Sequence, residues 1–278
     1  LLTAVASYAQ AKSSDGEWFV RIEDIDPPRQ KPESISLILN ALELYGFEWN
    51  RPPIYQSQSI NIHEQIINEL LAKKHAYKCN CSRKTLQKFS NGLLGKIYPG
   101  TCRNLNIENN YSIRLKTNNS SIEFIDILQG PQKQKIKSQS GDFIIKRRDK
   151  LIAYNLAVVI DDHLQGVTEV VRGIDLLTLT PSHIWIQNLL EFNTPKYMHI
   201  PIAINKQGQK LSKLTGAKEI DLVNPKETLY KALLALHQNP PPSIKKEPIA
   251  NIWKWTFEHW NISNIKAKET INAFKYFR

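Results

Sequence analysis

Apolar residues recur along this chain with helical and strand-like spacing in turn. Ile35, Ile38, Leu39, Leu42 and Tyr45 follow helical spacing, and Gly46 stands where a C-cap belongs. That pattern predicts a core helix packed on a sheet. Ile62, Ile66, Ile67 and Leu70 repeat it, with Lys73 and Lys74 near the C-terminus to suit the helix dipole. Leu1–Lys12 is Ala-rich and helix-like, and Ser13-Ser14-Asp15-Gly16 closes it. Between these helices Glu17–Ile22 is rich in β-formers and Ile54–Ser59 is strand-like. Helix, strand, helix, strand, helix is the rhythm of a parallel α/β sheet. Tyr111–Lys116 and Ile122–Ile127 read as strands of a small insert. Thr180-Pro181 opens a helix over Ser182–Phe192, with Ile184, Trp185, Leu189 and Phe192 available for a core. Asn224-Pro225-Lys226-Glu227 is a second helix start, and Leu229, Leu233 and Leu236 give its buried stripe. Beyond the break at Asn239–Pro242, Trp253, Phe257 and Trp260 share one side of a last helix, where packing explains them more simply than base-stacking.

Two further apolar runs, Leu151–Ile160 and Val167–Val171, each stop at charged residues. A short apolar run of this kind reads as a buried strand delivering side chains to the edge of a sheet. Asp161, Asp162 and His163 follow the first run; Arg172, Gly173 and Asp175 follow the second. In an open parallel sheet, ligands bind beyond the carboxyl ends of the strands. The plainer alternative is two core strands with solvated ends.

Composition changes this picture in two respects. The 278 residues suffice for one large domain with a satellite, and 41% hydrophobic with 23% charged residues is ordinary for a globular core. The net charge of +11, from 37 Lys and Arg against 26 Asp and Glu, favours an anionic partner, most often nucleic acid. No uninterrupted apolar run approaches the roughly 18 residues of a membrane span, and no basic-then-apolar leader signals export. All three cysteines fall between Cys79 and Cys102. An odd, tightly spaced set is a poor disulfide framework and a better metal site in a reducing compartment, so the chain reads as cytoplasmic.

Cys79-Asn80-Cys81 on an extended segment can place two thiolates on one ion at about 2.3 Å. Cys102 makes a third ligand, while water or His75 compete for the fourth place. Glu23, Asp24 and Asp26 put three acids within four positions, ahead of Pro27 and Pro28, which stop the strand. They can bind a metal or an ammonium group, or form a solvated turn. Lys206–Gly216 is rich in Lys and Gly; taken alone, such a stretch is a solvated turn.

Several of these stretches resemble one family. Tyr154-Asn155-Leu156-Ala157, Asp161-Asp162-His163, Gly166-Val167-Thr168 and Val171-Arg172-Gly173-Ile174-Asp175 look like the second half of the catalytic domain of class I glutamyl-type tRNA synthetases. Arg21-Ile22-Glu23-Asp24-Ile25-Asp26 and Lys210-Leu211-Ser212-Lys213-Leu214 resemble the forms those motifs take in its short glutamyl-Q tRNA(Asp) branch. The resemblance covers nearly the whole chain. It implies a Rossmann-like doubly wound parallel sheet with a zinc-bearing insertion and a small helical C-terminal region. The catalytic domain would occupy 1–78 and 141–194, the insertion 79–140, and the lysine loop and helical stem-contact region 195–278.

The resemblance implies roles residue by residue. Glu23, Tyr154 and Arg172 match the glutamate pocket, with Glu23 near the ammonium group and Arg172 offering a planar fork to a carboxylate. Lys210, Ser212 and Lys213 match the ATP loop, Lys213 being the catalytic lysine near the phosphates. Leu214 stands where the family usually has Ser. Tyr98, in Tyr98-Pro99-Gly100-Thr101-Cys102, matches a zinc ligand beside Cys79, Cys81 and Cys102. Lys133, Lys135 and Lys137 lie in the part that faces nucleic acid in the family, or form a solvated face. For His163 structural hydrogen bonding is the default.

The implied partners are L-glutamate, ATP with Mg²⁺, one structural Zn²⁺ and the anticodon stem-loop of tRNA(Asp), with the protein a monomer. The implied reaction is ATP-dependent glutamate activation and transfer to queuosine at the wobble position. A truncated glutamyl-tRNA synthetase charging a 3′ end, and a non-catalytic zinc-stabilised RNA-binding remnant, are the alternatives. The family's His-Ile-Gly-His-like turn and first strand would precede Leu1 and are not among these 278 residues.

Overall fold

In the computed structural model, residues 1–31, 33–211, 220–267 and 270–277 are described. Four strands form the sheet that positions the cleft, in the order Glu169–Gly173, Lys196–Ile200, Ser121–Asp126, Gly130–Lys135. The first three run parallel and the last closes an antiparallel hairpin. Register sets Arg172 opposite His199 and Tyr197 opposite Asp126. Three polar residues therefore collect at the carboxyl ends of three neighbouring strands, where ligand sites form in such sheets.

Helix Leu2–Lys12 packs against this sheet and against helices Pro225–Ala235 and Ile249–His259. Its Ala6 and Ala9 are fully buried, so small side chains let the backbones approach closely. An aromatic cluster seals the contact. Tyr8 meets Trp253 edge-on at 4.7 Å and Phe47 at 5.2 Å, and the Trp253 indole N–H donates to the Tyr45 carbonyl at 2.8 Å. Trp253 and Phe257 are thus packing residues, as their spacing predicts.

A second core lies between helices Ile60–Ala72, Tyr154–Leu164 and Thr180–Leu190 and an antiparallel sheet ordered Ala76–Cys79, Ser112–Leu115, Phe143–Lys146. Ile67, Leu70, Leu115, Ile145, Leu156 and Ile160 fill it. The strand Ser112–Leu115 thus joins segments before and after the cysteine-rich stretch, and Ser121–Asp126 joins the parallel sheet. Short parallel pairs join Arg21–Ile22 to Ile54–Tyr55 and Ile202–Ile204 to Thr270–Asn272.

Four expectations are corrected. The strand-like stretch Ile54–Ser59 pairs only over Ile54–Tyr55 and then coils into a short 3-10 helix over Gln56–Ser59. The run Leu151–Ile160 is not a strand: Tyr154–Leu164 is a helix. It is buried over Leu156–Asp161 on consecutive positions, so its sequence lacks the polar face that marks a helix. Glu17–Ile22 is extended, with Trp18 and Val20 carbonyls accepting from Asn50 and Ile54, but regular pairing is confined to Arg21–Ile22. Helix Ser34–Leu44 forms and ends at Gly46 with φ 72°, yet none of its residues is fully buried. Leu37 and Ile38 are more than half exposed, and Tyr45 and Phe47 just beyond the helix enter the core instead.

Candidate functional site

A cleft of about 850 Å³ runs along the edge strand Glu169–Gly173, between it and the segments around Trp18 and Tyr154, and is lined among others by Arg21, Glu23, Asp162 and, toward the strand's carboxyl end, Arg172. All three residues expected to meet glutamate therefore border one cavity. Arg21 organises its acidic side. The guanidinium donates to Asp162 Oδ1 at 2.8 Å and Gln165 Oε1 at 2.6 Å, and lies 3.7 Å from Glu23. Burial raises both carboxyl groups above their ordinary range, with Arg21 opposing that rise. A site that pairs the largely buried Asp162 and the partly exposed Glu23 with Arg21 and Arg172 offers both signs to a zwitterion.

The acids after Arg21 divide their roles. Asp24 accepts from the Ser57 backbone N–H at 2.8 Å and from its hydroxyl at 2.6 Å. It therefore tethers the start of the helix-forming segment. Asp26 stands 3.8 Å from Arg147, and only Glu23 of the three borders the cleft.

Arg172 is almost completely buried and its guanidinium is held on several sides. Nε donates to His199 Nε2 at 3.0 Å, Nη1 to His183 Nδ1 at 3.2 Å, and Nη2 to Thr180 Oγ1 at 2.8 Å. Burial, then the Arg172 charge, lowers His183 well below the usual imidazole value, so it is a neutral acceptor. Its Nε2–H donates to Asn155 Oδ1 at 3.1 Å. Asn155 follows Tyr154 at the start of the helix, so this chain of bonds fixes Arg172 relative to Tyr154. His163 makes a different contact from the one expected: its ring stacks on Phe192 with centroids 3.6 Å apart.

The cysteine-rich stretch builds a separate donor cluster. Sγ of Cys79, Cys81 and Cys102 lie within 4.8 Å of one another. Tyr98 Oη sits 3.4 Å from Cys79 Sγ and 3.3 Å from Cys81 Sγ, and the Cys81 and Cys102 sulfurs are 3.5 Å apart. These spacings are near the edges of roughly 3.5–3.8 Å that a tetrahedron with bonds of about 2.0–2.3 Å requires. His75 is not a member of the cluster among the described residues. Burial pushes the Cys81 thiol up to about 11 and raises the Tyr98 phenol further, so a cation is what would let these groups ionise together. A tetrahedral divalent ion fits the donor set.

Its surroundings suit anionic donors. Arg114, buried, donates from Nε to Cys79 Sγ at 3.3 Å and lies 4.0 Å over the Tyr98 ring. The Cys102 backbone N–H donates to Tyr98 Oη at 3.0 Å. Arg114 Nη1 also donates to the Asp142 carbonyl at 2.8 Å. Gly141 has φ 69°, and a Cβ there would strike the Tyr98 backbone, so only glycine admits this approach.

Lys210 pairs with Asp175 at 2.6 Å, placing the start of the lysine loop beside the strand that carries Arg172. Ser212 and Lys213 lie outside the described residues. Lys133 forms an exposed pair with Glu123 at 2.6 Å. Sequence reading missed Asp126, His183, His199, Arg114 and Asp142. The signal was available for two of them: His199 interrupts the apolar run Tyr197–Ile200, and Arg114 stands between Ile113 and Leu115. A polar group in a buried strand must have a partner.

Comparison with known proteins agrees with this geometry. The family described as class I tRNA synthetases (E and Q), catalytic domain, matches residues 2–237. A glutamate tRNA ligase from Elizabethkingia meningosepticum, solved in complex with its amino acid, has the same fold, with a TM-score of 0.78 at 20% identity. That likeness covers 99% of this chain and 64% of the ligase. Fold and family together define the catalytic domain of a class I tRNA synthetase, a ligase. Glutamyl-Q tRNA(Asp) synthetases from Pseudomonas fluorescens and Acinetobacter baylyi are 40% and 41% identical over 266 residues, each match covering 95% of this chain and 88% of the relative. This chain belongs to the glutamyl-Q tRNA(Asp) synthetase family.

Proposed function

We propose that the protein activates L-glutamate with ATP and transfers the glutamyl group to queuosine at the wobble position of tRNA(Asp). The observation that carries the reading is the cleft that Glu23, Tyr154 and Arg172 all border, in a chain of this family. In the first step a glutamate carboxylate oxygen attacks the α-phosphorus of ATP, the bond to the β-phosphate breaks, and pyrophosphate leaves. In the second a hydroxyl of the queuine ring attacks the activated carbonyl carbon, and AMP leaves with the bonding pair. Arg172 takes a substrate carboxylate, Glu23 the ammonium group, and Tyr154 the remaining wall. Mg²⁺ carried with ATP neutralises phosphate charge. Lys210, Ser212 and Lys213 serve the phosphates, Lys213 as the catalytic lysine. Positioning and electrostatics supply most of the catalysis in attack on phosphorus.

Cys79, Cys81, Tyr98 and Cys102 hold one structural zinc, within an insertion at 79–140 that contacts tRNA. The +11 charge attracts the phosphates of an anticodon stem-loop in a salt-dependent way. We place the protein in the cytoplasm as a monomer; among the described residues no helix is long and apolar enough to cross a membrane.

Two measurements check this reading. Full-length protein should exchange labelled pyrophosphate into ATP in the presence of glutamate; no exchange with or without tRNA rejects glutamate activation. Metal analysis should find about one zinc per chain, and Cys81→Ser should lose it or release it faster to a chelator. Stoichiometric protein with no metal, equally stable with and without chelator, rejects the zinc site.

A further inference from the structure

Behind Arg172 stands a carboxylate–imidazole pair that no substrate role uses. His199 Nδ1 lies 2.6 Å from Asp126 Oδ2, and both side chains are fully shielded from solvent. Asp126 Oδ1 accepts three backbone N–H groups, from Gln129 at 2.8 Å, Leu128 at 3.1 Å and His199 at 3.3 Å. The carboxylate is thereby fixed with Oδ2 facing the ring. A carboxylate there can only accept, so Nδ1 carries the proton, and Nε2 turns a lone pair toward Arg172 Nε at 3.0 Å. A proton on Nε2 would set donor against donor at Arg172 Nε, although the Thr180 hydroxyl, 3.1 Å from Nε2, could turn to accept it.

We propose that Asp126 and His199 are positioning residues: Asp126 locks the His199 tautomer, and the Nε2 lone pair holds the Arg172 guanidinium where it meets the substrate carboxylate. The proposal rests on the reading of Arg172 as the carboxylate ligand. His183 and Thr180 hold the two terminal nitrogens, so His199 is the acceptor that fixes Nε and with it the plane of the fork. An ion pair between Asp126 and Arg172 would have neutralised the arginine. An intervening neutral ring orients it and leaves its charge for the ligand.

Asp126→Asn separates this role from simple packing. Oδ1 must remain an acceptor for its three N–H groups, so the new NH₂ takes the place of Oδ2. It donates to His199 Nδ1, moving the ring proton to Nε2. A wrong tautomer of this kind disables a catalytic histidine in serine proteases without disturbing geometry. The experiment combines ¹⁵N histidine spectra with pyrophosphate exchange by the full-length protein. Wild type should show His199 protonated on Nδ1, and Asp126→Asn should show it on Nε2. That variant should raise the KM for glutamate about tenfold or more, while the KM for ATP stays within about twofold. His199→Gln, which keeps an acceptor near Nε2, should retain more glutamate affinity than His199→Leu. A wild-type proton on Nε2 overturns the proposal, and so do equal effects of His199→Gln and His199→Leu. An Asp126→Asn enzyme with unchanged glutamate KM, or with both KM values raised alike, overturns it as well. If Asp126→Asn does not fold, the wild-type spectrum and the His199 pair decide. Arg172→Ala marks the underlying reading: if it leaves glutamate KM unchanged, that reading has failed, whatever the tautomer.

Discussion

Asp142→Ala will lower the stability of the fold by about 3–5 kcal/mol, the range for removing one partner from a buried charged network. The Asp142 side chain is fully buried. It accepts from the Tyr77 hydroxyl at 2.5 Å, Arg103 Nε at 2.7 Å, the Thr117 backbone N–H at 2.8 Å and the Thr117 hydroxyl at 3.0 Å. Arg103 Nη2 adds a second bond at 2.5 Å. Without the carboxylate these donors are stranded, although Arg103, a quarter exposed, can recover some hydration. Burial alone would raise the Asp142 carboxyl; the bonds from Arg103, Tyr77 and Thr117 hold it below the usual range instead. Its stabilisation is therefore complete above the unfolded carboxylate pKa of about 3.9 and is lost as pH falls through the lower folded value. Denaturant midpoints at unchanged slope measure the effect. The gap between wild type and Asp142→Ala should begin to narrow only below about pH 4. A gap under about 1 kcal/mol at neutral pH would show that the network contributes little net energy.

Arg172→Ala will cost about 2–4 kcal/mol in the use of glutamate, the scale of losing a charged hydrogen bond in a buried site. The arginine is held by His199, His183 and Thr180 before substrate arrives, so little ordering remains for binding. Removing it leaves a substrate carboxylate against Asp162 and Glu23 with Arg21 already engaged. The loss should fall on kcat/KM for glutamate and spare the KM for ATP. Unchanged KM and kcat for glutamate would place Arg172 outside the pocket. Lysine is a poor replacement, because a single ammonium cannot make the divergent bonds of the planar fork.

Spacing alone made the amphipathic helices legible. Ile60–Ala72 and Pro225–Ala235 follow their apolar stripes, and Thr180-Pro181 marks the start of Thr180–Leu190. Periodicity failed where burial was uniform: Leu156–Asp161 is buried on every side, so its helix showed no polar face. It failed in the opposite sense at Ser34–Leu44, whose apolar stripe is partly exposed. The donors Cys79, Cys81, Tyr98 and Cys102 were local in sequence and motif. Asp126, His183 and His199 were not, because their roles arise only when strand register brings distant segments side by side. A short sequence window carries no information about that register.

Which tRNA accepts the glutamyl group is decided by one measurement. Full-length protein is incubated with ATP, labelled glutamate and either tRNA(Asp) carrying queuosine, tRNA(Asp) lacking it, or tRNA(Glu). Label should appear only on queuosine-containing tRNA(Asp), and its amount should fall as salt rises because phosphate contacts contribute to binding. Equal labelling of both tRNA(Asp) forms, or labelling of tRNA(Glu) at its 3′ end, would contradict the proposed transfer.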